Sequence, residues 1–168
     1  SGITSLAISP AGILWVGTSG QGIAQIAFGA HGEVYRVFGY SPYFEYSSDN
    51  GTTWTKIGPP AFNRSQACVI GCVASDTNGC LYVGLRYNRN SGAGGGVWYT
   101  TDNGLSWVEQ MVGMQNAGAF KTSIQTLTID RKNLVYAGCN GGGLYAAAAG
   151  GEWAKLDNTL PLDIYDHF

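Results

Sequence analysis

Two acidic side chains stand in matching frames, and one loop gathers cations, amides and an aromatic ring. Asp49 lies in Ser47-Ser48-Asp49-Asn50-Gly51-Thr52-Thr53-Trp54, and Asp102 in Thr100-Thr101-Asp102-Asn103-Gly104-Leu105-Ser106-Trp107. A carboxylate beside a Trp could flank a sugar, and hydrolysis of a glycosidic bond needs two carboxylates on one substrate face. The loop is Arg86-Tyr87-Asn88-Arg89-Asn90-Ser91-Gly92-Ala93-Gly94-Gly95-Gly96. Guanidinium groups, amides and an aromatic face on a glycine-rich tether suit a sugar ring or an extended peptide.

The elements that carry these residues repeat. In both eight-residue frames the Asn-Gly pair tolerates positive φ and signals a hairpin between strands. The Asp can accept N–H bonds across its own turn, and the Trp can plug the gap between neighbouring sheets. A third frame keeps only spacing: Tyr145 to Trp153 is eight, like Tyr46 to Trp54 and Tyr99 to Trp107, with Ala148 at the Asp place and Gly150 at the glycine place. A second repeat runs Ile3 to Trp15, Ile23 to Tyr35, Ile70 to Tyr82 and Ile124 to Tyr136, each twelve apart. Each interval reads as strand, short turn and strand. The chain is therefore a repeat array.

The eight-residue frame resembles the Asp-box, or BNR repeat, of sialidase-type, sortilin-type, xyloglucanase-type and photosystem assembly-factor β-propellers. The wider pattern resembles the repeat arrays of secreted bacterial propeller proteins. That resemblance implies an all-β fold, a β-propeller or part of one, with four-stranded antiparallel blades and the Asp-box turn between third and fourth strands. On this reading Ser47, Asp49, Gly51, Trp54, Thr100, Asp102, Gly104, Trp107, Gly150 and Trp153 are structural. Residues 1–22 form a half blade, 23–66, 67–122 and 123–159 are full blades, and 160–168 start a further blade or a closing strand. A closed ring typically takes four to eight blades. Three explanations of the shortfall stay open: a fragment of a longer propeller, which is favoured; an internal gap near residue 22; or closure with another copy. The lack of a starting Met or leader reads as a mature product or an excised piece.

Topology sorts the loops. In an up-and-down sheet the Asp-box turns share one end with the first-to-second turns, so Asp49 and Asp102 lie away from the long loops at the other end. The long-loop end gathers Tyr40, Tyr43, Arg86, Tyr87, Asn88, Arg89, Phe120 and Lys121 as the candidate ligand-binding set, because binding groups concentrate on long loops over a rigid scaffold. Acids near that end reduce to Glu109, Asp163 and Asp166, without evident pairing, and no F-R-I-P-type segment of the sialidase kind occurs among the five Arg. No catalytic residue is assigned. His31 and His167 are the two histidines, too few for a metal cluster or a nucleophilic triad, so no metal or cofactor is expected.

Composition agrees. The 168 residues include 26 Gly, 45% are hydrophobic and 12% charged, and the net charge is −2. Scattered cations argue against nucleic acid, and no apolar run is long enough for a membrane span. Cys68, Cys72, Cys80 and Cys139 lack metal-type spacing. If Ile70 faces Tyr82, then Cys72 faces Cys80 across a hairpin and could form a disulfide, with Cys68 and Cys139 left over; buried free thiols are the alternative. A disulfide would favour an oxidising compartment, outside the cell, on its surface or in the periplasm.

The function expected is non-catalytic binding of a glycan or extracellular protein at the long-loop end. Alternatives are a glycoside hydrolase fragment of xyloglucanase or sialidase type, with its catalytic residues elsewhere, and a structural or assembly module. Partners could also include further blades of the same protein or another copy.

Overall fold

A computed structural model describes residues 2–9, 12–18, 22–38, 41, 43–58, 69–86, 95–114 and 123–156. Fourteen strands run in sequence order among them. A two-stranded sheet, β1 (Ile3–Ile8) and β2 (Leu14–Thr18), comes first. Three four-stranded antiparallel sheets follow. They are β3 (Ile23–Phe28), β4 (Val34–Phe38), β5 (Phe44–Ser47) and β6 (Thr55–Ile57); β7 (Val69–Ser75), β8 (Leu81–Arg86), β9 (Val97–Thr100) and β10 (Val108–Gln110); and β11 (Ile124–Ile129), β12 (Val135–Cys139), β13 (Gly143–Ala147) and β14 (Ala154–Lys155). Within each sheet, strands pair with their neighbours in the chain.

The first hairpin of every sheet is built the same way. Backbone bonds Ser9 N to Ile13 O, Gly29 N to Glu33 O, Asp76 N to Cys80 O and Asp130 N to Leu134 O close the turns at 2.8–3.0 Å. The bend is completed by a residue at positive φ: Gly12, Gly32, Gly79 or Asn133. This is a type I turn followed by a left-handed residue, a geometry that glycine and asparagine adopt at low cost. A side chain then secures each loop. Ser9 Oγ accepts from Ile13 N, Asp76 Oδ1 from Asn78 N and Cys80 N, and Asp130 Oδ1 from Lys132 N and Leu134 N.

The twelve-residue spacing marks equivalent positions, not facing partners. Ile70 pairs with Leu85 and Cys72 with Gly84, because the turn at 76–80 centres the hairpin later than the spacing implied. The Cys72–Cys80 disulfide therefore does not form, and both residues are free thiols. Burial pushes the Cys72 thiol up to about 12, as expected for a small core residue rather than a reactive one. Cys68 lies outside the described residues.

The core lies between sheets. Tyr35, Val37 and Phe44 of the first four-stranded sheet pack against Ile70, Val73, Leu81, Val83 and Leu85 of the next. Cys72, Tyr82 and Val97 then meet Ile124, Leu127, Val135 and Ala137. Cross-strand tyrosine pairs stiffen two sheets: Tyr35 stacks on Tyr46 at 5.8 Å and Tyr82 on Tyr99 at 5.9 Å. In the last sheet Tyr136 faces Ala146 instead. Tyr145 is thus one position out of register with Tyr46 and Tyr99, and its eight-residue spacing to Trp153 is a coincidence of a turn one residue shorter.

Candidate functional site

The two acidic frames are closed structural turns. Asp49 Oδ1 accepts from the Ser47 hydroxyl at 2.7 Å and the Thr53 amide at 2.8 Å, while Oδ2 accepts from the Thr53 hydroxyl at 2.6 Å. Gly51 N donates to Ser47 Oγ at 2.8 Å, and Trp54 Nε1 to Gly51 O at 3.0 Å. Thr100, Asp102, Gly104, Ser106 and Trp107 repeat every one of these bonds. Asn50 and Asn103 take φ of 57°, followed by Gly51 at 86° and Gly104 at 87°. Carboxylates occupied in this way hold a turn and have little left with which to act on a substrate.

Hydrogen bonding also sets their acidity. The Thr53 hydroxyl, then the Thr53 amide and the Ser47 hydroxyl, hold Asp49 at about 2; Ser106 and Thr100 do the same to Asp102. Both values fall below the ordinary 3.8. The ionised staples therefore stabilise the fold above about pH 4, and that support is withdrawn as pH falls toward 2. Denaturation followed from pH 5 to pH 2 should show a shallower acid loss in the Asp49→Asn, Asp102→Asn double variant. An unchanged acid slope would contradict the assignment.

The third turn has no carboxylate, and the neighbouring sheet supplies the staple. Gln110, at the end of β10 and buried, donates through Nε2 to Ala148 O at 3.0 Å and Gly151 O at 2.9 Å. Its Oε1 accepts from Gly150 N at 3.3 Å. Trp153 Nε1 turns away from its own turn and donates to Gln110 O at 2.9 Å, and Trp153 N donates to Val112 O. Gly150, at φ 66°, keeps the bend. Nothing in the sequence frame flags Gln110, since a glutamine ending a strand is unremarkable there.

At the same end, a cavity of about 310 Å³ opens among the first-hairpin turns, lined in part by Phe28, Ser75, Asp76, Asp130 and Asn133. Its acids are bound to their own turns. Thr77 spans two turns through its amide and hydroxyl, both donating to Asn133 Oδ1 at 3.1 and 2.8 Å.

At the long-loop end, Tyr43 and Arg86 are the candidates within the described residues. Tyr40, Tyr87, Asn88, Arg89, Phe120 and Lys121 lie outside them. Tyr43 sits 6.3 Å from Phe38, and Lys56 Nζ lies 4.4 Å above its ring. The same sheet face carries Arg36, paired with Glu45 and 3.8 Å from the Trp54 ring centroid. Arg36, Glu45 and Lys56 form a cross-strand row, because β4, β5 and β6 bring them opposite one another. That aromatic and charged face was not singled out by sequence reasoning. Its equivalents in the next sheet include Val83 and Leu85, both buried, so Arg36 marks a local departure from the apolar repeat. Arg86 packs elsewhere, its side chain lying over Gly71 at the junction with Ile124, and its Nε is buried without an acceptor among the described residues. Tyr43 and Arg86 thus belong to different inter-sheet junctions. Glu109 lies in β10 opposite Trp98, and Asp163 and Asp166 are outside the described residues. Among the described residues no group of three or more His, Cys, Asp or Glu side chains could hold a metal ion, and no helix is long and apolar enough to cross a membrane.

No family model matches the sequence, and no curated protein matches it. Solved structures do match the fold. The GH74 xyloglucanase from Xanthomonas campestris superposes with a TM-score of 0.58 and 18% identity, over 78% of this chain and 22% of that one. A streptogramin B lyase gives 0.59 and 10%, over 89% and 46%. YCF48 bound to D1 peptide gives 0.54 and 14%, over 88% and 48%. The chain spans less than half the length of each, and at such identities the likeness is one of fold. Stacked antiparallel sheets with the core between them, and these neighbours, show that the chain has the fold of part of a β-propeller.

Proposed function

We propose that the chain is a non-catalytic, extracytoplasmic propeller region of the Asp-box type that binds a glycan or an extracellular protein with its long-loop end. The observation that carries this reading is Arg86. At the turn end, the acids and hydroxyls described above are spent on holding turns. Arg86 instead reaches the long-loop end with a buried Nε that has no acceptor among the described residues, beside the loop that continues as Tyr87-Asn88-Arg89. A cation partly withdrawn from water and lacking a partner favours an incoming hydroxyl or carbonyl oxygen.

A glycan array and a titration with the strongest hit would test it. Replacing Arg86, Tyr87 and Arg89 by Ala should weaken binding by at least about tenfold, the loss of a few charge-assisted contacts. A blank array, or a hit whose affinity survives the triple replacement, sinks the sugar-binding version. The neighbours named above act on or bind different molecules by their titles, so fold alone does not choose a ligand.

A further inference from the structure

The first sheet has an apolar face that nothing described covers. Ile3, Leu6, Ile8 and Leu14 are each more than half exposed, between 58% and 68%. The twelve-residue repeat identifies what these positions do elsewhere. Ile3 corresponds to Ile70 and Ile124, Leu6 to Ile26, Val73 and Leu127, and Leu14 to Val34, Leu81 and Val135. All of those are buried, at 8% or less. In the second and third four-stranded sheets, where the core clusters define the packing, these positions face the preceding sheet. The open face of β1–β2 is therefore the receiving half of an inter-sheet junction.

The last sheet presents the other half. A hydrogen bond recurs at successive junctions. Ser5 Oγ accepts from Ile26 N at 3.1 Å, and the Gln25 amide accepts from Val73 N at 2.9 Å and donates to Val73 O at 3.1 Å. The next positions in this series are Cys72 and then Thr126, which is exposed on β11. Beside it, Thr128, Tyr136 and Gly138 repeat the small, aromatic and glycine pattern of Ala74, Tyr82 and Gly84, the set that meets the following sheet at the buried junction. Leu6 in turn holds the place of Ile26 and Val73, whose amides receive the bond.

From this match of donor and receiver we propose that copies of this chain associate head to tail, the β11–β14 face of one seating on the β1–β2 face of the other. Thr126 Oγ1 of one copy accepts the Leu6 amide of its partner, continuing the series set by Ser5 and Gln25. The continuity with the junctions inside the chain singles out a second copy, because both halves of the contact are present on one molecule. Two copies place eight sheets in a ring, within the four to eight that closed propellers use. Two identical contacts of this kind close on a twofold axis and leave neither face open.

Native mass spectrometry and sedimentation over a micromolar range test this. The expected particle is twice the 17.7 kDa of one chain. Leu6→Asp and Thr128→Arg, on opposite faces, should each weaken dimerisation by at least about 100-fold, since each sets a charge in the core of the contact. Leu105→Asp, at an 87% exposed residue in a turn, should leave it unchanged. Hydrogen exchange on the unmodified chain provides a readout independent of the variants' folding, and β1 amides including Leu6 should gain protection as concentration rises. A monomer throughout that range, with β1 exchange independent of concentration, overturns the proposal and leaves the faces to a different blade-bearing partner. So does a dimer that neither folded face variant disrupts.

Discussion

Replacing Gln110 by Ala should cost about 3 kcal/mol of stability, although no sequence pattern marks this residue. Its amide makes three hydrogen bonds to the backbone of the next sheet's turn, and each is worth about 1 kcal/mol net. The site is buried, so truncation leaves two carbonyls and one amide short of partners. For a domain of this size that corresponds to a fall in melting temperature of about 6–12 °C. Gln110→Glu should not rescue it. A carboxylate keeps the acceptor for Gly150 N but places negative charge against the carbonyls of Ala148 and Gly151. Gln125→Ala, at an exposed glutamine, should stay within about 0.5 kcal/mol. Thermal melts of the three variants decide the matter. A Gln110→Ala protein as stable as its parent would show that the third turn needs no staple.

Phe44→Ala should be costlier, at about 4 kcal/mol, in the range for truncating a large buried aromatic side chain. Phe44 is wholly buried on β5 and belongs to the junction between the first two four-stranded sheets. Its ring meets Tyr35 of its own sheet edge-on at 6.1 Å and Trp107 of the next sheet at 6.2 Å. Removing it opens a void between two sheets whose backbones are held by their own strand pairing and cannot fully collapse into it. Phe44→Leu keeps most of the volume and should cost about 1 kcal/mol. Urea denaturation with an unchanged slope would register both as losses of native packing. A loss below about 1 kcal/mol for Phe44→Ala would mean that the junction repacks freely.

The strands and turns were legible because each is a local event. Asn-Gly at Asn50-Gly51 and Asn103-Gly104 adopts positive φ with any suitable flanks, and the hydroxyl, Asp and Trp around it bond within eight residues. The repeat at Ile3, Ile23, Ile70 and Ile124 likewise marks an inner strand each time. Register was not legible. The Cys72–Cys80 expectation failed because equal spacing between repeats does not fix where a hairpin folds, and the bulge between Ile70 and Cys72 shifts the pairing again. Tyr145 misled for the same reason, since a one-residue deletion in a turn preserves a spacing while moving every side chain to the other face.

The candidate site divides along the same line. Loop length and composition placed Tyr43 and Arg86 at one end of the sheets, but different packing neighbours set them in separate junctions. Sequence alone determined the unit of construction, the turn chemistry and the end of the sheets at which acids are consumed, because those depend on residues a few positions apart. Tertiary structure alone decided that Gln110 replaces a missing Asp, that Gln25 grips the Val73 backbone and that Arg36, Glu45 and Lys56 form a row. These contacts join residues brought together by sheet pairing or by the stacking of one sheet on the next, and the physical reason is that buried backbone groups left over by one sheet must find partners on its neighbour.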